Sequence, residues 1–407
     1  MNTKSYMRTA VVALLTAFAF FAESSAKVQA VELEIKPEDR VIFLGGTFVE
    51  RMQYSGFLEA TLVATDTKGN QTFRNLGWSG DTPWGHARAV FGGQPDGYKR
   101  LVKDTEEAKP TLIVYAYGNN AAFDGKEAIA AFLQQYESLI NDLQKRTRAR
   151  AALILPREYD SLGGQLPDQT KYNAVVREFR TAIRELAKAK DIPVLDPDAD
   201  NVVRKLQLTE NGVHLTDRGY WHTAVTLAKQ MGRGSSIDWR VELGAGSPIG
   251  ENTDLTDVVS SADGASFVAL DRVLPMPPCP GGSSEHESVG KLVVKGLDPG
   301  DYVLRIDGVK NVAASAQQWA SGVSLASRGG SQQAHQLRSS LSGKNELFFY
   351  RYRPQNETYL FLFRKHEQGN NAGEIPQFDP LIENKEREIA VLRVPIKHKY
   401  QLRKATN

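Results

Sequence analysis

The chain is nearly without cysteine, with one, Cys279, in 407 residues. A single thiol closes no internal disulfide, so the fold has to rest on its buried core. Excess charge is missing too: 50 basic against 48 acidic side chains leave a net +2, part of it near the N-terminus. That balance points to no nucleic-acid partner and no membrane surface. Beyond the first 30 residues there is no apolar run of the ~20 residues a spanning helix requires. No Cys/His cluster has zinc spacing, and Gly92-Gly93 and Gly281-Gly282 lack the spacing of a phosphate cradle. Asp196, Asp198 and Asp200 alternate without the glycine and glutamate of a calcium loop, and read as a solvated acidic turn. The expectation is therefore a protein with no cofactor and no metal. What remains is ordinary: 41% hydrophobic and 24% charged residues, in a chain long enough for a sizeable core and two domains.

The first 30 residues stand apart. Lys4 and Arg8 precede an apolar and small-residue run, Thr9 to Ala22, followed by Ser24-Ser-Ala26 and Val28-Gln-Ala30. This pattern predicts a signal peptide over residues 1–30, export to the periplasm or the outside, and no membrane span once it is removed. The alternative, an N-terminal membrane anchor, would need a longer run.

From there to about residue 235, short apolar runs alternate with helical stripes. Arg40–Gly45, Gln71–Gly77, Thr111–Tyr117, Ala151–Leu155 and Ile192–Leu195 read as strands buried on both faces. Gly125–Lys145, Asp168–Lys190 and Thr216–Met231 carry apolar residues at helical spacing, the last with Thr216 as its N-cap. The alternation predicts an α/β domain over 31–235 built on a doubly wound parallel sheet, whose ligands bind beyond the C-terminal ends of its strands. Residues 236–343 are rich in Gly, Ser and Val, with strands at Ser266–Leu270, Lys291–Val294 and Tyr302–Ile306, and read as a smaller β-rich domain. Residues 344–407 are aromatic and charged, with a helix near Leu381–Leu392, and are expected to pack back onto the α/β domain. Arg364-Lys-His366-Glu367 reads as a solvated face, with a second polar cluster at the pocket as the alternative.

Four islands carry the chemistry: Val41-Ile-Phe-Leu-Gly-Gly-Thr47, Asn75-Leu-Gly-Trp-Ser-Gly-Asp-Thr82, Tyr117-Gly-Asn-Asn120 and Asn211-Gly-Val-His214. In order and spacing they resemble the four blocks of the SGNH (GDSL-like) hydrolases, a likeness that covers roughly residues 38–232. The whole chain is similar to exported SGNH-like proteins of planctomycete-type bacteria. The resemblance implies a flavodoxin-like α/β/α sandwich and cleavage of acyl esters, often acetyl on carbohydrate. Thr47 stands where the family has its nucleophilic serine. Gly80 matches the glycine whose N–H faces the oxyanion, and Asn120 the asparagine whose amide does the same, with Asn119 one position off. His214 matches the general base, a role suited to a group titrating near neutrality. Asn211 stands where the family has the aspartate that orients the histidine; asparagine can accept a hydrogen bond from imidazole but brings no negative charge. Asp217 and Glu210 lie near it in sequence, and Ser79 is a reserve nucleophile.

A threonine can attack, although its extra methyl restricts its rotamers; otherwise Thr47 caps the helix that begins near Phe48. Three functions follow. One is an exported esterase acting on a small acyl-ester substrate such as an acetylated carbohydrate, with Thr47 as nucleophile, His214 as base, and Gly80, Asn120 and the Thr47 N–H as oxyanion donors. Another is a glycan-binding protein that keeps the cleft without the turnover. A structural envelope protein using the β-rich domain is a third. The sequence carries no signal for an oligomeric state.

Overall fold

The computed structural model describes residues 33–200, 206–233, 239–282 and 290–405. The leader expected over residues 1–30 lies outside them. The chain begins in β1 (Arg40–Gly45), α1 (Thr47–Ser55), α2 (Phe57–Ala64), β2 (Thr72–Asn75), α3 (Gln94–Glu107), β3 (Leu112–Ala116), α4 (Ile129–Thr147), β4 (Arg150–Ile154), α5 (Thr170–Ala189), β5 (Val194–Leu195) and α6 (Asp217–Gln230). The five strands form one parallel sheet in the order β2-β1-β3-β4-β5. This is the flavodoxin-like winding, and it reverses direction between β1 and β3.

The apolar runs do not alternate with polar residues because both faces of the sheet are covered. Val41, Phe43, Leu112, Val114, Ala152 and Ile154 face α2 and α6, through Leu58, Leu62, Trp221 and Leu227. Ile42, Leu44, Ile113, Tyr115, Ala151 and Leu153 face the opposite layer, through Leu101 of α3, Phe132 and Leu139 of α4 and Phe179 of α5. Successive side chains of a strand point to opposite faces, and here each face meets helices. Thr216 caps α6 as expected, its hydroxyl accepting the Gly219 N–H at 3.1 Å.

The second region adds β6 (Arg240–Leu243), β7 (Ile249–Glu251), β8 (Thr253–Ser261), β9 (Gly264–Asp271), β10 (Gly290–Val294), β11 (Asp301–Ile306), β12 (Val309–Ser315), α7 (Ala316–Ser321) and β13 (Val323–Leu325). Then come α8 (Ser331–Tyr352), α9 (Glu357–Leu360), α10 (Lys365–Gln368), α11 (Phe378–Leu392) and β14 (Lys397–Lys404). Two sheets, β13-β10-β6-β7 and the antiparallel β12-β11-β14-β9-β8, enclose a core that includes Trp239, Phe267, Leu292, Leu304, Trp319 and Tyr400. Cys279 lies in the loop after β9 and is buried against the α2–α6 layer, not a surface thiol.

The C-terminal segment divides its packing. α8 lies along α1, α2 and β2. There Lys344 Nζ is buried in an ion pair with Glu59 and donates to Phe73 O at 2.9 Å, while Asn345 Nδ2 donates to the other Glu59 oxygen at 2.9 Å. β14 returns to the accessory region and pairs on both sides, with β11 and with β9. The division expected at 343/344 therefore falls inside α8, and the last strand belongs to the sheet it was expected to leave. The physical reason is that an interior strand finds both partners only in the accessory sheet, however distant in sequence.

Candidate active site

β1 runs straight into α1, so Thr47 stands at the C-terminal edge of the sheet, at the point where the strand order reverses. Thr47 is the first residue of the helix and Gly46 is its N-cap, without a side-chain capping bond. The capping role is thus not the one Thr47 plays. Its N–H is one of the first-turn donors that find no partner inside a helix, and the helix dipole adds positive potential there. Its hydroxyl accepts the Gly80 N–H at 3.3 Å.

Gly80 closes a tightly held strand-to-loop passage. Asn75, at the end of β2, donates to Val49 O at 2.6 Å and accepts the Gly77 N–H at 2.8 Å. At Gly77 a Cβ would lie 2.2 Å from the Glu50 nitrogen, so only glycine lets the loop lie against α1. Gly80 itself has φ +79°, the left-handed region that glycine enters without strain. That conformation turns its N–H toward Thr47. Ser79 is exposed, and its N–H is taken by Glu50.

Asn119 and Asn120 follow β3 and both line the pocket. Asn119 is occupied structurally: it donates to Arg157 O and Tyr172 OH and accepts the Arg157 N–H. Asn120 Nδ2 gives one hydrogen bond, to Asp81 O at 3.0 Å. An amide nitrogen carries two hydrogens, so Asn120 retains a second donor for a guest in the pocket.

His214 comes from a tight loop ahead of α6, in which Glu210 N–H donates to His214 O at 2.9 Å and Thr209 hydroxyl donates to Asp160 at 2.7 Å. Its side chain is 33% exposed and lines the same pocket as Thr47 and Asn120, but no hydrogen bond joins it to Thr47. Partial burial and the Arg51 guanidinium hold the imidazole below its ordinary value of 6.5, against the opposing pull of Glu210. It is therefore neutral, and able to take a proton, at lower pH than a free histidine.

Asn211 does not accept from the imidazole as expected. Its Oδ1 is committed to the Val213 and His214 N–H groups at 3.1 and 2.8 Å, so its Nδ2 faces His214 Nδ1 at 3.2 Å. Asparagine here is a donor to Nδ1, the reverse of an aspartate. The acidic atom near that ring nitrogen is Glu210 Oε1, 3.8 Å away and paired with Arg51 at 2.7 Å.

The small pocket, about 40 Å³, is completed by Arg51, Arg157, Tyr159 and Tyr220. Arg51 sits one turn beyond Thr47 on α1, a spacing that could have flagged it. Arg157 is nearly buried and bonds Asp198 at 3.0 Å, so the acidic alternation at 196–200 is partly a buried counter-charge: Arg180 also pairs with Asp196 and Asp198. At the rim, Tyr159 stacks on Tyr172 with centroids 4.6 Å apart, and Phe123, 65% exposed, lies 4.6 Å from Tyr172. Arg364 and Glu367 pair with each other and, with His366, take no part in lining the pocket. Among the described residues no cluster of metal-ligating side chains occurs, and no helix is long and apolar enough to cross a membrane.

Residues 49–222 match the sequence model of the GDSL-like Lipase/Acylhydrolase family. Over that stretch the α/β unit is similar to the GDSL-like lipase/acylhydrolase (SGNH) family. The match begins two residues after Thr47 and takes in Gly80, Asn120, Asn211 and His214. Among solved structures, BT4096, a gut microbial diltiazem-metabolizing enzyme, superposes with a TM-score of 0.71 at 17% identity, over 92% of this chain and 100% of its own. The shared fold therefore extends past the α/β unit into the accessory sheets. An acetyl xylan esterase, AlAXEase, gives a TM-score of 0.36 at 21% identity over 48% of this chain and 99% of its own. The lipase/acylhydrolase from Enterococcus faecalis gives 0.35 at 22% identity over 48% and 96%. None of the curated proteins matches the chain in sequence.

Proposed function

We propose that the protein is an exported acylhydrolase that cleaves a small acyl ester, acetyl above all, from a carbohydrate. The observation that carries this reading is the convergence of a hydroxyl (Thr47), an amide donor (Asn120 Nδ2) and a neutral imidazole (His214) on one pocket at the switch point of the sheet, with the Gly80 N–H, itself outside the lining, donating to the Thr47 hydroxyl. The cavity, about 40 Å³, supports a small acyl group. Tyr159, which lines the pocket and stacks on Tyr172 with Phe123 beyond, supports a flat alcohol partner such as a sugar ring, whose C–H face packs on aromatic faces. The signal-like residues 1–30 support export.

In the proposed reaction Thr47 Oγ1 attacks the ester carbonyl carbon while its proton passes to His214. The oxyanion takes the Gly80 and Thr47 N–H groups and the free Asn120 hydrogen. Collapse breaks the ester C–O bond, and the alcohol leaves with the proton from His214. Water, deprotonated by His214, then frees the acid and restores Thr47. Hydrogen bonds of this kind are often long before substrate binds, which accommodates the unbonded Thr47 and His214.

The base must present a bare nitrogen. In the resting contact Asn211 donates to Nδ1, which places the proton of a neutral ring on Nε2. For a base acting through Nε2 the proton has to sit on Nδ1, and Glu210 at 3.8 Å is the acceptor within reach. Glu210 accordingly takes the orienting role that aspartate has elsewhere. The same contact favours the second reading, a glycan-binding protein with impaired turnover. An assay with a soluble acetyl ester separates the two: hydrolysis by the parent, lost in Thr47→Ala and in His214→Ala, supports the esterase. Activity that arises only in Thr47→Ser/Asn211→Asp supports the binding protein, and equal rates in parent and alanine variants contradict the mechanism.

A further inference from the structure

The oxyanion loop is held from far down the chain. Tyr352 OH, at the end of α8, donates to Gly77 O at 3.0 Å. Arg353, the next residue, lies over the Trp78 ring with its guanidinium carbon 3.7 Å from the centroid and donates to Glu50 Oε2 at 3.0 Å. That same Glu50 oxygen accepts the Ser79 N–H. Three successive residues, Gly77, Trp78 and Ser79, are therefore each gripped through residues 352–353, directly or through one carboxylate. The next N–H in the chain is that of Gly80, which donates to Thr47 Oγ1. Trp78 is buried at 6% exposure, and Arg88 and Arg100 also lie against its ring, at 5.2 and 4.8 Å. Arg100 is tied in turn to Glu357 at 2.5 Å, a second link to the C-terminal segment. Tyr352, Arg353 and Glu357 all lie outside the stretch that matches the acylhydrolase family.

We propose that Tyr352 and Arg353 are positioning residues for the oxyanion donor: they fix the Gly77–Ser79 backbone, so that the Gly80 N–H stays aimed beside Thr47. This rests on the esterase reading for its kinetic consequence, but the anchoring itself is a property of the loop. The reasoning is geometric. Ser79 and Gly80 are exposed and glycine is conformationally permissive, so the tip is held through its flanks: Trp78 N–H donates to Gly45 O at 2.9 Å, buried Asp81 pairs with Arg88 at 2.7 Å, and residues 352–353 hold the remaining side. An oxyanion donor acts only if it is already in place, and a misplacement of about 1 Å costs on the order of 10²-fold in rate. A guanidinium flat on an indole with a carboxylate at its edge is a rigid arrangement that a lysine does not reproduce.

The test compares full-length wild type with Arg353→Ala, Arg353→Lys and Tyr352→Phe by two measurements. Hydrogen–deuterium exchange of the peptide spanning residues 76–82 reads the anchoring without any turnover. Steady-state kinetics on p-nitrophenyl acetate reads its consequence. The expected result is exchange faster by about tenfold in Arg353→Ala, with peptides of the sheet unchanged. With it, kcat falls by about tenfold or more while KM stays within about twofold, the signature of an interaction realised in the transition state. Arg353→Lys is expected to recover part of both losses, and Tyr352→Phe, which loses one hydrogen bond and no volume, to give a smaller change in the same sense. Unchanged exchange across 76–82 in Arg353→Ala and Tyr352→Phe overturns the proposal. So does exchange that rises equally throughout the α/β unit, which would make these residues general stabilisers. A wild type that hydrolyses no ester defeats the esterase reading, while the exchange rates still decide the anchoring.

Discussion

At Thr47 the side chain brings one more methyl than a serine, and that methyl restricts χ1 beside the oxygen proposed to attack. Thr47→Ser is expected to keep the Gly80 contact and to raise kcat on an acetyl ester by several-fold, whereas Thr47→Ala loses the reaction; steady-state rates on the three proteins check both. At His214 the shift is downward, from burial first and Arg51 second. With His214 as the proposed base, the acidic limb of kcat/KM is expected below pH 6.5. Removing the opposing Glu210 carboxylate in Glu210→Gln moves the limb further down and reduces kcat. Asn211→Asp moves it up and increases kcat, because an aspartate in place of the amide accepts from Nδ1; in serine-protease triads the reverse change costs about 10⁴-fold. That Thr47, Asn120 and His214 meet at one pocket was legible because each follows a strand or precedes a helix at a set distance. The orientation of Asn211 was not, because it is decided by two backbone N–H groups that compete for its oxygen. Arg157 was hidden for a related reason, and Glu210 was visible only as a neighbouring acid at the wrong spacing for a simple swap: a charge acquires its role from a partner brought near only by the fold.

At the scale of elements, the strands of the parallel sheet are continuous apolar runs, so their positions could be read to within a residue or two. α8 could not. Its sequence is polar along most of its length and contains Gly343, and its short apolar edge, buried at Ala334, Leu337 and Leu341, is joined by a buried ion pair. Burial raises the Glu59 carboxyl above its ordinary value, against the pull of Lys344, so the pair is retained at a desolvation cost. Lys344→Ala leaves the Glu59 charge buried without its partner, and a loss of about 3–5 kcal/mol is expected in denaturant unfolding. Lys344→Met with Glu59→Leu is expected to restore most of it. A second test lies where β2 leaves the sheet. Gly77→Ala would drive a methyl into the Glu50 backbone, so reduced kcat together with a lower melting temperature is expected.

For the whole molecule, the two regions share the C-terminal segment, and the likeness to BT4096 spans 92% of the chain. The segment is expected to be indispensable, because β14 is interior to its sheet and α8 covers the α2 side of the acylhydrolase unit. A chain ending at Arg393 would leave β9 and β11 without their shared neighbour, and is expected to lose the accessory-sheet protection seen by hydrogen exchange. Pairing between strands some 130 residues apart leaves no mark in local pattern, which is why β14 read as part of an aromatic, charged tail. The account as a whole depends on the Thr47 hydroxyl as the attacking group. Its most direct test is mass mapping of the intact protein after brief reaction with an activated acyl ester and acid quench. The account predicts one acyl group, carried on the peptide that contains Thr47 and absent from Thr47→Ala and from His214→Ala. Acylation at Ser79, or undiminished hydrolysis by Thr47→Ala, would contradict it.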